Sequence, residues 1–235
     1  MKSEKPLGHK AYGHIPHLPG SRIGPGDHAI TEGQARICCE RTRDRHDRII
    51  VRVKVDGSNM AVANIDGELL PLGRAGYPAI SSRFRQHSLF AQWVYDRLNR
   101  FTFLQPGERL SGEWLAQAHG TRYNLSHEPF IVFDLIRGHT ERATQDELAE
   151  RTKPFDFILP HLLSDGPPRS IEWVRAAIAG IHPHGEIDPI EGAVWRCERK
   201  GRVHFLAKWV RPDKVDGCYL SEVSGKAAVW NWLPI

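Results

Sequence analysis

Residues 192–210, GAVWRCERKGRVHFLAKWV, form two runs of alternating side chains joined only by Lys200 and Gly201. A period of two marks a strand, and a two-residue link with a glycine at a positive-φ position closes a tight hairpin. Asp66-Gly67 plays the same part in MAVANIDGELL, residues 60–70. Strands linked this tightly are antiparallel neighbours, so the chain is committed to antiparallel sheet. Further strands are expected over 49–55, 109–117 and 129–136. Residues 87–101 place Leu89, Phe90, Trp93, Val94, Leu98 and Phe101 on one helical face that packs on a sheet. Thr144 and Glu147 have the spacing of a capping box, and SIEWVRAAIAG reads as a further helix stopped by Gly180. The expected class is α+β, antiparallel sheets flanked by helices.

With 235 residues, 40% of them hydrophobic, the chain is long enough for a real core. Its net charge of +4 and pI near 8.9 tolerate a polyanionic partner without demanding one. The first 48 residues, rich in Gly, Pro, His and Arg, read as an irregular extension, with one domain expected over 49–235. Cys38, Cys39, Cys197 and Cys218 include no C-x-x-C pair, which fits a reducing compartment. MKSEKPLGHK has no apolar signal core, and no run approaches the ~18 apolar residues of a membrane span. A soluble, cytoplasmic protein is expected.

Chemistry enters at VRVKVDGSNMAV, residues 51–62. Lys54 ends a β-branched strand, and Gly57 just beyond lets a ligand approach the backbone closely. An amine in that place can attack a phosphorus or carbonyl centre once it loses its proton. Taken alone, K-x-D-G in most proteins reads as a solvated strand end followed by a turn.

Further stretches in a fixed order change the weighting. The sequence resembles the covalent lysine nucleotidyltransferase superfamily of ATP-dependent RNA ligases, DNA ligases and mRNA capping enzymes, and is most similar to the RNA ligase branch. Lys54-Val55-Asp56-Gly57-Ser58-Asn59 resembles the first motif, which makes Lys54 the residue that accepts the nucleotide. Arg74, in LGRAGY, and Glu113, in LSGEWLA, match residues that engage the ribose. Phe133 and Asp134, in FIVFDLI, match the motif whose ring stacks on adenine. Glu191, in IEGAVWR, and Lys208, in FLAKWV, match the fourth and fifth motifs. The resemblance covers residues 49–211. It implies the nucleotidyltransferase fold, the ATP-grasp-like adenylation domain of ligases. It also implies ATP as substrate, Mg2+ or Mn2+ held through water by Asp56 and Glu191, and catalytic roles for Lys54, Asp56 and Lys208. The implied partner is RNA with 5′-phosphate and 3′-hydroxyl ends, joined through lysyl-AMP and an adenylylated 5′ end in RNA repair.

Two positions depart from the family pattern. Val53 replaces a common glutamate, and Val210 stands where a second fifth-motif lysine is often found, leaving Arg211 or Arg196 to supply the lost charge. Only 24 residues follow Arg211, so no C-terminal OB-fold is expected. Free lysine titrates near ~10.4, so attack by Lys54 requires a lowered pKa. Burial and Lys208 act in that direction, whereas Asp56 and Glu191 oppose it unless a divalent cation neutralises them. The alternatives are a DNA nick ligase, a capping-type enzyme, or a non-catalytic, nucleotide-dependent RNA-binding subunit of a repair complex. GSRIGPGD and SGKA do not complete a phosphate loop and read as turns. His14 with His17, and His182 with His184, lack a third placed ligand. Arg22 reads as a solvated arginine, and Arg83, in a stretch that resembles a substrate-contacting one, reads equally as a substrate contact or a solvated arginine.

Overall fold

The computed structural model describes residues 4–234. Two antiparallel sheets carry the fold. The first contains β1 (Asp47–Lys54), β7 (Leu162–Gly166), β8 (Gly192–Arg199) and β9 (Arg202–Val210), in the order β7-β1-β8-β9. The second contains β2 (Ser58–Ile65), β3 (Glu68–Gly73), β4 (Glu108–Trp114), β5 (Phe130–Arg137) and β6 (Glu141–Arg142), in the order β3-β2-β4-β5-β6. Both predicted hairpins are present. Asp66 and Gly67 have φ of 51° and 93°, and Lys200 and Gly201 have 49° and 72°, the left-handed pairs that two-residue turns require.

Strand alternation builds the site. On β1 the odd residues Ile49, Val51 and Val53 are buried in apolar clusters. Ala193, Trp195 and Cys197 of β8, with Ala207 and Trp209 of β9, join Ile49 and Val51 in one cluster. The helices α1 (Glu32–Cys39) and α4 (Ile171–Ile178) contribute Ala35, Cys38 and Val174 to that cluster. The even residues Ile50, Arg52 and Lys54 then face a cleft, as do Val194, Arg196, Leu206 and Lys208. Val53 is 1% exposed and packs with Val55, Leu115 and Ile131, so the glutamate found elsewhere at this position would be a buried charge here. On the second sheet, Met60 and Val62 lie in the main core with Phe90, Trp93 and Val94 of α2 (Arg85–Tyr95), while Asn59 and Glu113 sit opposite each other facing the cleft.

Several elements differ from the sequence expectation. The stretch 1–48 is not wholly irregular, because Thr31 and Gln34 form a capping box that starts α1. Nor does a core boundary fall at residue 48: Leu18, Ile30, Ala35 and Cys38 share a cluster with Ile49 and Trp195. The backbone of residues 16–18 runs beside β9, with Leu18 N donating to Lys208 O at 2.8 Å and Lys208 N to Pro16 O at 2.9 Å. The helix expected over 87–101 ends at Tyr95 and resumes as a 3-10 turn, Leu98–Phe101. The break lets Arg97 and Arg100 meet Glu128 while Phe101 stays in the core and Leu98 turns outward. β7, an outer strand, was not anticipated. The third helix, α3 (Gln145–Thr152), begins as expected, with Thr144 Oγ1 accepting from Glu147 N at 3.3 Å. Ser170 caps α4 in the same way, and Gly180 lies just beyond it at φ 75°.

Candidate active site

Lys54 is the last residue of β1, and the chain then crosses to the other sheet, where β2 starts at Ser58. Two glycines make this junction possible. A Cβ on Gly57 would lie 2.5 Å from Trp114 O, and one on Gly192, the partner of Lys54 across β8, would lie 1.9 Å from Trp209 O. The cleft between the sheets is lined by Lys54, Asn59, Arg74, Glu113, Phe133, Asp134 and Lys208, all of them singled out from sequence. Asp56 and Glu191 are buried beside Lys54.

The Lys54 ammonium donates to Glu191 Oε2 at 2.6 Å. Burial works against its charge, but Glu191, then Glu113 and Asp56, more than offset that effect and hold Lys54 above its ordinary range. Without a metal, the two carboxylates expected to oppose deprotonation, Asp56 and Glu191, together with Glu113, prevail, and Lys54 is held as an ammonium. Lys208 behaves oppositely, lowered first by burial and then by Lys54. Its Nζ lies 3.6 Å from Asp27 Oδ1, and the same carboxylate takes His17 Nε2 at 3.0 Å. His14 and His17 thus flank an aspartate, and among the described residues no three His, Cys, Asp or Glu side chains form a metal site.

Glu113 accepts from Gly57 N at 3.1 Å, and its carboxyl is pushed up to about 7 by burial and by Asp56 and Glu191, against the opposing pull of Lys54. Because the folded pKa exceeds the ordinary 4.5, its contribution to stability is present below that pH and lost as pH rises through about 7. Glu113→Gln keeps the acceptor and removes the titration. Urea midpoints at about pH 5 and about pH 7.5 should show wild type losing more stability than the variant across that interval. Equal losses would put the Glu113 carboxyl in the ordinary range.

Phe133 and Asp134 are adjacent, yet both line the cleft. The register moves from Ser111↔Asp134 to Gly112↔Val132, so Phe133 is the extra residue of a β-bulge, which re-aims the strand. The Phe133 ring stands edge-on to Tyr12, 5.2 Å between centroids. Asp134 is 1% exposed and engaged by Tyr12 Oη, Arg142 Nε at 3.1 Å and Arg196. Its visible work is to bind the N-terminal segment and two arginines to the cleft wall. Asp134→Ala would take from buried Arg196 its closest counter-charge, leaving Glu198 Oε1 at 3.8 Å, and should cost about 3–5 kcal/mol in a urea melt. A loss below about 1 kcal/mol would mean that the Ala143 and Phe133 carbonyls already satisfy Arg196.

Sequence reasoning looked for the missing fifth-motif charge at Arg211 or Arg196. Arg196 lines the cleft and is engaged by Asp134, whereas Arg211 pairs with Asp213 at 2.5 Å. A further cation, Lys214, is fully buried with Nζ 2.9 Å from Asp56 Oδ2. It was missed because it lies beyond the motif, in a loop without periodicity. Tyr12, Gly13 and Ile15 also line the cleft and carry no motif signal; Gly13 O accepts from Arg74 Nη2 at 3.2 Å. Arg22 pairs with Asp216, and Arg83 is exposed over the Phe84 ring.

A family model described as RNA ligase matches residues 47–210. The chain belongs to the RNA ligase family. Among solved structures, a Naegleria gruberi RNA ligase with PPi is similar at 19% identity and a TM-score of 0.58, covering 90% of this chain and 62% of that one. An archaeal ATP-dependent RNA ligase is similar at 19% identity and a TM-score of 0.52, covering 70% and 42%. A putative ATP-dependent DNA ligase from Aquifex aeolicus is similar at 16% identity and 0.53, covering 85% and 49%. These likenesses are of fold, the nucleotidyltransferase fold expected from sequence, and the chain spans about half the length of those ligases. No match was found among curated proteins. No helix among the described residues is long and apolar enough to cross a membrane.

Proposed function

We propose that the chain carries the nucleotidyl-transfer centre of an ATP-dependent RNA ligase. The observation that carries this reading is the placement of Lys54, alone at the sheet junction, with its Nζ among Glu191, Glu113 and Asp56 at the floor of a cleft walled by Asn59, Arg74, Phe133 and Lys208. The Naegleria gruberi ligase has structures with ATP and Mn, with AMP and Mn, and with PPi, which supports ATP and a divalent metal as what this cleft takes.

In this reading Phe133 stacks on adenine, and Glu113 and Arg74 hold the ribose. Asn59, whose Oδ1 is buried without a partner, donates or accepts at the nucleotide. Lys54 N attacks the α-phosphorus; the N–P bond forms as the bond to pyrophosphate breaks, and Lys208 offsets charge on the α-phosphate. AMP then passes to a 5′-phosphate, and a 3′-hydroxyl attacks that end and releases AMP.

Asp56 and Glu191 both act on Lys54, and two carboxylates suit a divalent cation that keeps its water shell rather than one caged by protein ligands. Asp56 and Glu191 would hold it through water. When bound, it supplies positive charge beside those carboxylates, so that Lys54 is no longer held as an ammonium. Glu191 Oε2, 2.6 Å from the Lys54 ammonium, accepts its proton as the amine turns toward the cleft.

Incubation with ATP, a divalent metal and a nicked RNA bearing 5′-phosphate and 3′-hydroxyl ends should yield joined RNA. The same nick in DNA should join poorly, and GTP should not replace ATP. Preferential joining of DNA would select the nick-ligase alternative, and transfer from GTP the capping alternative. ATP binding without any transfer would select the non-catalytic one.

A further inference from the structure

The Lys214 side chain is 0% exposed, although it ends in a charge. Lysines are almost never buried so completely without a partner that requires them. Here the partners are Asp56 Oδ2 at 2.9 Å and Glu191 Oε1 at 3.4 Å, with no hydrogen-bond acceptor properly aligned. The other Glu191 oxygen is taken by Lys54, so two ammonium groups grip one carboxylate from different sides. Lys214 is not among the residues lining the cleft and reaches the carboxylates from behind.

Its path is built into the chain. A Cβ on Gly120 would lie 2.4 Å from Lys214 Cε and 2.7 Å from Val215 O, so the absence of a side chain at 120 creates the channel through which the lysine passes. Gly120 N meanwhile donates to Asp56 Oδ2 at 2.7 Å. The segment bearing Lys214 is tied down by Tyr219 N, which donates to His119 O at 2.8 Å, and by the Arg22–Asp216 pair.

We infer that Lys214 is a resident cation of the site: delivered through the Gly120 channel, its ammonium neutralises the Asp56–Glu191 pair from behind and keeps that pair from capturing a divalent metal before nucleotide arrives. The inference rests on the reading that these two carboxylates face the metal. An ammonium already at the pair removes much of its pull on a second cation, so metal affinity in the empty protein is low. The phosphates of a bound nucleotide restore the negative charge, and metal and nucleotide bind together. The fold thereby orders the two events without a moving part.

Direct Mn2+ binding, followed by the paramagnetic resonance of free Mn2+, tests this without turnover. Lys214→Met should bind Mn2+ at least about tenfold more tightly than wild type when no nucleotide is present. Gly120→Ala, which displaces the lysine and removes no charge, should move in the same direction. With the Mn2+ held by free analogue measured separately and subtracted, wild type should itself gain at least about tenfold in Mn2+ affinity when a non-hydrolysable ATP analogue is added. Mn2+ affinity within about twofold of wild type in both folded variants would overturn the inference. If neither variant folds, equal Mn2+ affinity of wild type with and without the analogue would overturn it. Wild-type protein that labels with ATP but fails these binding comparisons refutes only the role of Lys214. Protein that never labels refutes the ligase reading, while the Mn2+ comparison still decides what Lys214 does.

Discussion

Lys54→Ala will take up no label from α-labelled ATP, while the wild-type protein will retain it through denaturing electrophoresis. The bond formed on lysine nitrogen is a phosphoramidate, so the wild-type adduct should be labile in acid and stable in base. The loss should be complete because, among the described residues, no other amine lies in the same relation to the cleft. Lys208 is drawn toward Asp27 and Lys214 is sealed behind Asp56. The variant should stay folded, since Lys214 remains beside Glu191 when the Lys54 ammonium is gone. Undiminished labelling of Lys54→Ala would mean that the nucleophile is another residue.

Lys208→Ala should slow formation of that adduct by about a hundredfold or more, with ATP still bound measurably. The cation faces the cleft from β9, and its charge matters most when negative charge builds on the α-phosphate. Asp27 and His17 hold it from the N-terminal segment, so the side chain is placed before the nucleotide enters. Lys208→Arg should recover part of the rate, restoring charge in a different shape. Arg211→Ala should label close to the wild-type rate, because Arg211 pairs with Asp213 and lines a different cavity, with Arg175 and Trp209. A dead Arg211→Ala beside an unimpaired Lys208→Ala would assign the phosphate cation to Arg211.

What could be read from sequence followed the strands. Lys54, Asn59, Glu113 and Lys208 sit at positions where a period of two leaves no choice of face once the neighbouring apolar residues are buried. Lys54 faces the cleft because Val51 and Val53 face the core, and Lys208 does so because Ala207 and Trp209 cannot. Phe133 and Asp134 break that rule through a bulge, which neither residue announces. The unread features are contacts between distant segments without periodicity. Tyr12 meets Asp134 across 122 positions, Asp27 meets Lys208, and Lys214 meets Asp56. The helix stops at Tyr95 although its apolar stripe would have continued it, and Arg97, just beyond, pairs with Glu128. The metal-free balance at Lys54 could be posed from sequence but not weighed. The opposing influences were named from sequence, but their balance depends on how closely Glu191 approaches, and that distance is a property of the fold.

Peptide mapping of the wild-type protein after incubation with ATP and a divalent metal locates the transferred nucleotide directly. AMP should be found on the peptide containing Lys54, on that lysine alone, and should leave it when a 5′-phosphorylated RNA is added. AMP on Lys208 or Lys214, or folded protein that binds ATP and carries no AMP on any residue, would contradict the assignment of Lys54 as the residue through which this chain works.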